Sequence, residues 1–166
     1  MNARRDVVVE RTMPASVRQA TVDDAAVVAR LMNQFDGTSA TAEQVAVRMQ
    51  ACASFLTIWL GVLDGQVVGY ACLRLLPHLE GDEPYAELTD LYVDGPFRRC
   101  GVARALLAQV SEAAHDAGAS EILLITGFTN VAAQAAYRVA GYADYALAMR
   151  RAFPEPPTLG PSHPES

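Results

Sequence analysis

The chain has 166 residues, 51% of them hydrophobic and 19% charged, a balance that packs a single domain and excludes disorder throughout. No apolar run approaches the ~20 residues of a membrane-spanning helix, and a formal net charge of −6 argues against nucleic acid as the main partner. All 13 basic residues are arginine, which excludes Schiff-base and P-loop lysines. Val7-Val8-Val9 is too short an apolar stretch for a signal peptide, so a soluble, cytoplasmic protein is expected, and the Ala-, Arg- and Gly-rich composition suggests a bacterial source. Cys52, Cys72 and Cys100 lack metal-ligand spacing and read as buried or partly buried free thiols. His78, His115 and His163 lie far apart, so no metal site is expected.

In chain order, residues 1–15 read as a flexible leader and residues 16–20 as a first strand. Thr21 caps a helix whose first turn carries Asp23 and Asp24, with Ala25, Val28, Leu31 and Met32 at helical spacing. After a break at residues 36–39, Thr41 opens a second helix running to about Ala53. Two apolar runs, 55–63 and 66–75, flank Asp64-Gly65 and predict a β-hairpin. An acidic loop spans residues 77–85, and a fourth strand runs from Ala86 to about Val93. A long amphipathic helix over 101–117 is stopped by Gly118, and residues 121–126 read as a buried strand. Asn130 caps another helix ended by Gly141, and Tyr142 to about Phe153 reads as a last strand. Residues 154–166, rich in proline, are expected to be a disordered tail. The order β-α-α-β-β-β-α-β-α-β implies a mixed α/β (α+β) sheet with helices on both faces, in one domain over 16–153.

The chemistry concentrates in Leu91-Tyr92-Val93-Asp94-Gly95-Pro96-Phe97-Arg98-Arg99-Cys100-Gly101-Val102-Ala103. A strand ends, a short loop follows, and a helix begins at an arginine- and glycine-bearing turn. Unpaired N–H groups at a helix start carry partial positive charge and suit a pyrophosphate. Gly101 and Ala103 let a ligand approach the backbone, while Arg98, Arg99 and Arg104 add positive charge to an acidic protein. Three glycines at dinucleotide-binding spacing are missing. A plain strand-to-helix turn with solvated arginines is the alternative these residues leave open.

Arg98-Arg99-Cys100-Gly101-Val102-Ala103 resembles the Arg/Gln-x-x-Gly-x-Gly/Ala signature of the GNAT superfamily of N-acetyltransferases. In register with it, Leu91-Tyr92-Val93 resembles the family's Leu-x-Val strand end, and Asn130 through Tyr137 to Gly141-Tyr142 resembles the run that marks the second cofactor-flanking helix. Two positions depart from the pattern: Gly95 stands where the family often has Pro, and Arg99 where it often has Gly. The resemblance implies a GNAT fold with a mostly antiparallel central sheet, acetyl-coenzyme A as acyl donor, and direct attack of an amine on the thioester. It places Leu91, Tyr92, Val93, Arg98, Arg99, Cys100, Gly101, Val102, Ala103, Arg104 and Asn130 at the cofactor. Tyr137 becomes the candidate acid for the leaving thiolate. Glu87 becomes the candidate base, with the Val93 N–H as oxyanion donor. Strand alternation puts Glu87, Thr89 and Leu91 on one face and Asp90 on the other, unless a bulge intervenes. Asp90, the loop acids Glu80, Asp82 and Glu83, or a water chain are the alternative routes for the proton.

Acidic residues 80, 82, 83, 87 and 90 around the expected cleft favour a cationic acceptor, such as a polyamine, an aminoglycoside, a basic peptide or a protein amino group. A small-molecule amine is the leading acceptor. Protein or peptide acetylation and a non-catalytic acyl-coenzyme A sensor are the alternatives. Family members are often dimers, so a homodimer is the assembly the resemblance implies. Met32, Phe35 and Met49 are candidates for the acceptor side or for core.

Overall fold

A computed structural model describes residues 14–153. The expected leader, apart from Pro14 and Ala15, and the proline-rich tail lie outside the described residues. Strand β1 (Ser16–Gln19) leads through a short 3-10 turn, Val22–Asp24, into helix α1 (Ala25–Asp36). Asp24 closes that turn by accepting from the Thr21 N–H (2.9 Å), and Arg18 clamps the same carboxylate with both guanidinium nitrogens (2.8 and 2.6 Å). The clamp holds the Asp24 carboxyl down to about 2. Gly37, left-handed at φ 68, stops α1. Helix α2 (Ala42–Cys52) starts at a capping box, Thr41 with Gln44.

The predicted hairpin forms as β2 (Leu56–Leu63) and β3 (Gln66–Leu76). Asp64 and Gly65 both take positive φ, 49 and 77, the twist a two-residue hairpin needs. Strand β4 (Tyr85–Val93) pairs antiparallel with β3, and helix α3 (Val102–Asp116) crosses back so that β5 (Ile122–Leu124) joins β4 in parallel. The sheet order is β1-β2-β3-β4-β5. Helix α4 (Val131–Val139) follows, capped by the Asn130 side chain accepting from Ala133.

The sheet separates two cores. On one face α3 buries Val102, Leu106, Leu107 and Val110 against Ala71, Leu73 and Leu88. On the other, Val28 and Leu31 of α1 and Val45 of α2 pack on Leu60, Tyr70 and Cys72. Gly61 sets how closely α3 approaches β2, since a Cβ there would meet Val102 Cγ1 at 2.5 Å. Met32 and Met49 pack against the second core rather than lining a cleft.

Three expectations need correction. Residues 143–153 form no strand among the described residues, although their pattern alternates. Alternation only makes a segment fit for pairing; without a ladder its N–H and C=O groups gain nothing from extension. β5 is also shorter than expected, three residues in place of 121–126. Cys100 is exposed rather than buried, because it stands in the loop before α3, whereas Cys72 is buried.

Candidate active site

The ladder between β4 and β5 is short. Ala86, Glu87 and Leu88 pair with Ile122, Leu123 and Leu124, and β5 then ends while β4 continues to Val93. Past Leu88 the β5 side of β4 is therefore open. Asp94 donates to the Val68 carbonyl (2.8 Å). By the alternation of an antiparallel ladder, Leu91 and Val93 then turn their N–H groups away from β3, toward that open side. A cleft of about 210 Å³ fills the gap, bordered by Asp90, Leu91, Thr126, Asn130 and Tyr137, with Phe35 of α1 at its rim.

A bulge decides which acid reaches the cleft. Cys72 pairs with Asp90 and Leu73 with Leu88, so Thr89 is the extra residue on β4. This resets the alternation. Glu87, opposite Arg74, and Asp90, opposite Cys72, both fall on the α1–α2 face, and Leu91, opposite Ala71, falls on the α3 face. The expectation that Glu87, Thr89 and Leu91 share a face is overturned by that one inserted residue. Glu87 is occupied elsewhere, in an ion pair with Arg74 and within 3.5 Å of the Tyr85 hydroxyl. It does not border the cleft; Asp90 does, and accepts from the Thr89 hydroxyl at 2.7 Å. Glu80, Asp82 and Glu83 are exposed in the loop before β4. Thr89 and Arg74 carried no sequence signal for these roles, since both depend on strand register.

Tyr137 sits half-buried on α4, its ring edge-on to Tyr142 at 5.8 Å. Burial first, then Tyr142 and Asp90, push its phenol above the usual value, so it stays protonated at neutral pH. Asn130 both caps α4 and borders the cleft, so its two expected roles coincide.

At the other end of β4, the loop before α3 curls through left-handed Arg99 (φ 64) and Gly101 (φ 83). The first hydrogen bond of α3 is donated by Ala105 to the Gly101 carbonyl (3.0 Å), and none of the described residues accepts from the amides of Arg99 to Arg104. Successive unpaired N–H groups in such a curl make an anion-binding concavity, which the helix dipole reinforces. Gly101 and Ala103 keep the approach open, and Val102 is buried as the first core residue of α3. Arg99 and Arg104 are exposed. Arg98 is engaged with the strand end: its Nε donates to the Val93 carbonyl (3.0 Å) and its guanidinium lies 5.9 Å from the Tyr92 ring. Tyr92 faces the α1–α2 side beside Tyr70 and Phe35. Unpaired amides, small residues and nearby arginines suit a diphosphate, and the open edge of β4 suits an extended amide-bearing arm.

The sequence model of the acetyltransferase (GNAT) family matches residues 26–142. The chain therefore belongs to the GNAT acetyltransferase family and is an acyl-coenzyme A-dependent N-acetyltransferase. It is 32% identical to the aminoglycoside N(6′)-acetyltransferase type 1 of Stenotrophomonas maltophilia over 141 residues, 78% of this chain and 86% of that protein. Among solved structures, it resembles an aminoglycoside N-acetyltransferase, AAC(6′)-Iy, in complex with CoA: TM-score 0.75, 18% identity, 89% of this chain and 99% of the other. The ribosomal-protein-alanine N-acetyltransferase of Brucella melitensis biovar Abortus 2308 superposes with TM-score 0.70 at 18% identity, over 83% of this chain and 99% of the other. At these identities the two structures establish the fold. No helix among the described residues is long and apolar enough to cross a membrane.

Proposed function

We propose that the protein transfers an acetyl group from acetyl-coenzyme A to a primary amine of a small cationic acceptor. The chemistry takes place in the cleft between β4, β5 and α4, within one catalytic domain over residues 16–153. The observation that carries this reading is the meeting of Asp90 and Tyr137 in one cleft beside the unpaired edge of β4. The relative from Stenotrophomonas maltophilia, named for an aminoglycoside acceptor, supports a small polycationic amine.

The amides of Arg99 to Arg104 hold the diphosphate, with Arg99 and Arg104 alongside, and Leu91 and Val93 pair with the pantetheine arm. This aims the thioester at the cleft. Asp90, held by Thr89, takes the ammonium proton directly or through one water. The amine nitrogen then bonds to the thioester carbon while the Val93 N–H stabilises charge on the carbonyl oxygen. The carbon–sulfur bond breaks, Tyr137 gives its proton to the departing sulfur, and the nitrogen sheds its second proton to solvent, leaving a neutral amide. Tyr137 recovers a proton from solvent, and the proton taken by Asp90 is released. Fixing both substrates in one cleft supplies on the order of 7–11 kcal/mol in the best cases. Glu87 holds the strand register through Arg74 and has no chemical step.

Two measurements test the reading. Acetyl-coenzyme A should raise the melting temperature by mass action. Thiol release should appear with polyamines and aminoglycosides and stay at background with peptide N-termini. Thiol release only with peptides would move the acceptor to proteins. Binding without thiol release to any amine would make the protein an acyl-coenzyme A sensor.

A further inference from the structure

Behind Asp90 the sheet buries a hydroxyl that has no protein partner. Tyr70 of β3 is 1% exposed, packed under α1 and α2 with Val28, Leu31 and Val45. Its Oη is shielded from solvent, and no group among the described residues hydrogen-bonds to it. Burying a hydroxyl unpaired is costly, so as a rule such groups find a protein partner or an ordered water.

The register places this hydroxyl beside the cleft's acid. Tyr70 stands opposite Tyr92 and Cys72 opposite Asp90, so Tyr70 and Asp90 are diagonal neighbours across β3 and β4. Diagonal neighbours on one face of an antiparallel pair stand about 7–8 Å apart, within reach of an aromatic side chain. Burial first, then Asp90, ahead of Cys72, Asp36 and Tyr92, push the Tyr70 phenol above its ordinary value. Tyr70 therefore keeps its proton at neutral pH and is a donor. Burial, then Asp90, also hold the Cys72 thiol well above its ordinary value, so it stays neutral. Around the Tyr70–Asp90 pair, the titratable groups are Cys72 on β3, Tyr92 on β4, Asp36 on α1, Tyr137 on α4 and, beside Cys72, Cys52 of α2. Arg98 lies 5.9 Å from the Tyr92 ring.

Asp90 thus has two unlike sides. One borders the cleft, toward Tyr137. The other lies against the buried face that holds Tyr70 and Cys72. The carboxylate accepts from the Thr89 hydroxyl at 2.7 Å, and an ionised carboxylate offers about four lone-pair sites, so room remains for a second donor.

We propose that Tyr70 is a positioning residue for Asp90: its hydroxyl donates through one buried water to the carboxylate, fixing the inner side while the outer side meets the acceptor ammonium. The proposal rests on the reading of Asp90 as the base. A buried water makes about three hydrogen bonds to polar groups otherwise left unpaired. Donation to a carboxylate favours its charged form, so Tyr70 keeps Asp90 ionised and restrains the rotation that would turn it from the cleft.

Tyr70→Phe removes the hydroxyl and keeps the packed ring, so the variant should fold, as circular dichroism and a thermal melt verify. In NMR of the full chain with carboxyl-¹³C aspartate, the Asp90 signal is assigned by its loss in Asp90→Asn. Its titration midpoint should rise by about 0.5–1 pH unit in Tyr70→Phe. Turnover of a polyamine or aminoglycoside should fall about fivefold, with KM for acetyl-coenzyme A unchanged. In the Asp90→Asn background, Tyr70→Phe should cost nothing further. An unchanged Asp90 titration overturns the proposal, and so does an equal loss of turnover in both backgrounds. A Tyr70→Phe protein that melts above wild type with unchanged kcat also overturns it, since that is how an idle buried hydroxyl behaves. A shifted titration together with full kcat in Asp90→Asn upholds the hold of Tyr70 on Asp90 and removes Asp90 as the base, so the two failures read differently.

Discussion

Strands β2, β3 and β4 hold Leu60, Ala71, Leu73 and Leu88 at 3% exposure or less, whereas no residue of β5 or α4 is buried. The two regions meet at the cleft. The packed region supplies the groups that the proposed mechanism needs fixed: the amides before α3, the open edge of β4, and Asp90 on its bulge. The thin region supplies Tyr137 and Asn130. On the proposed mechanism, the donors to fixed charge sit on the frame and the acid sits on an element with few packing restraints, the usual division between scaffold and adaptable wall.

Truncation should separate the regions most sharply. Leu106→Ala, at a fully buried α3 position, should lower unfolding free energy by ~2–5 kcal/mol. Leu147→Ala, at an exposed position of the last described segment, should change it by ~0.5 kcal/mol or less. Denaturant melts of the two variants check this, and equal losses would erase the distinction.

Within the cleft, Tyr137→Phe should reduce kcat by ~10²–10⁴-fold and leave acetyl-coenzyme A affinity within about twofold. Asp90→Asn should lower kcat comparably, while Glu87→Gln should act on stability more than on turnover. Steady-state kinetics paired with calorimetric titration separates these outcomes. A Glu87→Gln variant with the larger loss in kcat would restore Glu87 as the base.

Acid should expose the next difference, at the front of the frame. The folded-state Asp24 carboxyl is lowered from 3.8 to about 2 by the Arg18 clamp. Its contribution is therefore fully present above pH about 4 and is lost as pH falls toward 2. Wild-type stability should decline through that window, and Arg18→Ala should flatten the decline. The smallest effect is expected at Arg99, an exposed residue held at φ 64. Arg99→Gly should stabilise by about 1 kcal/mol and weaken cofactor binding slightly through the lost charge.

Much of the frame was legible because its signals are local. Asp64-Gly65 specifies a hairpin by backbone twist, Thr41 with Gln44 a capping box, and the small-residue turn at Gly101 a helix start. The unpaired amides proposed to hold the cofactor were legible for the same reason, since a short motif sets their positions. The chemical side was not. Whether Glu87 or Asp90 enters the cleft depends on a single unpaired residue, Thr89, and composition does not announce a bulge. The Arg74 partner of Glu87 lies across a hairpin and exists only in the realised register. The expected last strand failed because a strand is a relation between two segments, and alternation describes one of them.

The most direct measurement compares acetyl-coenzyme A with S-acetyl-pantetheine, which keeps the thioester and arm but lacks the diphosphate, by calorimetric titration of the full chain. If the unpaired amides before α3 supply the grip, acetyl-coenzyme A should bind at least ~100-fold more tightly, about 2.7 kcal/mol. Equal affinities, or no binding of acetyl-coenzyme A at millimolar concentration, would contradict it.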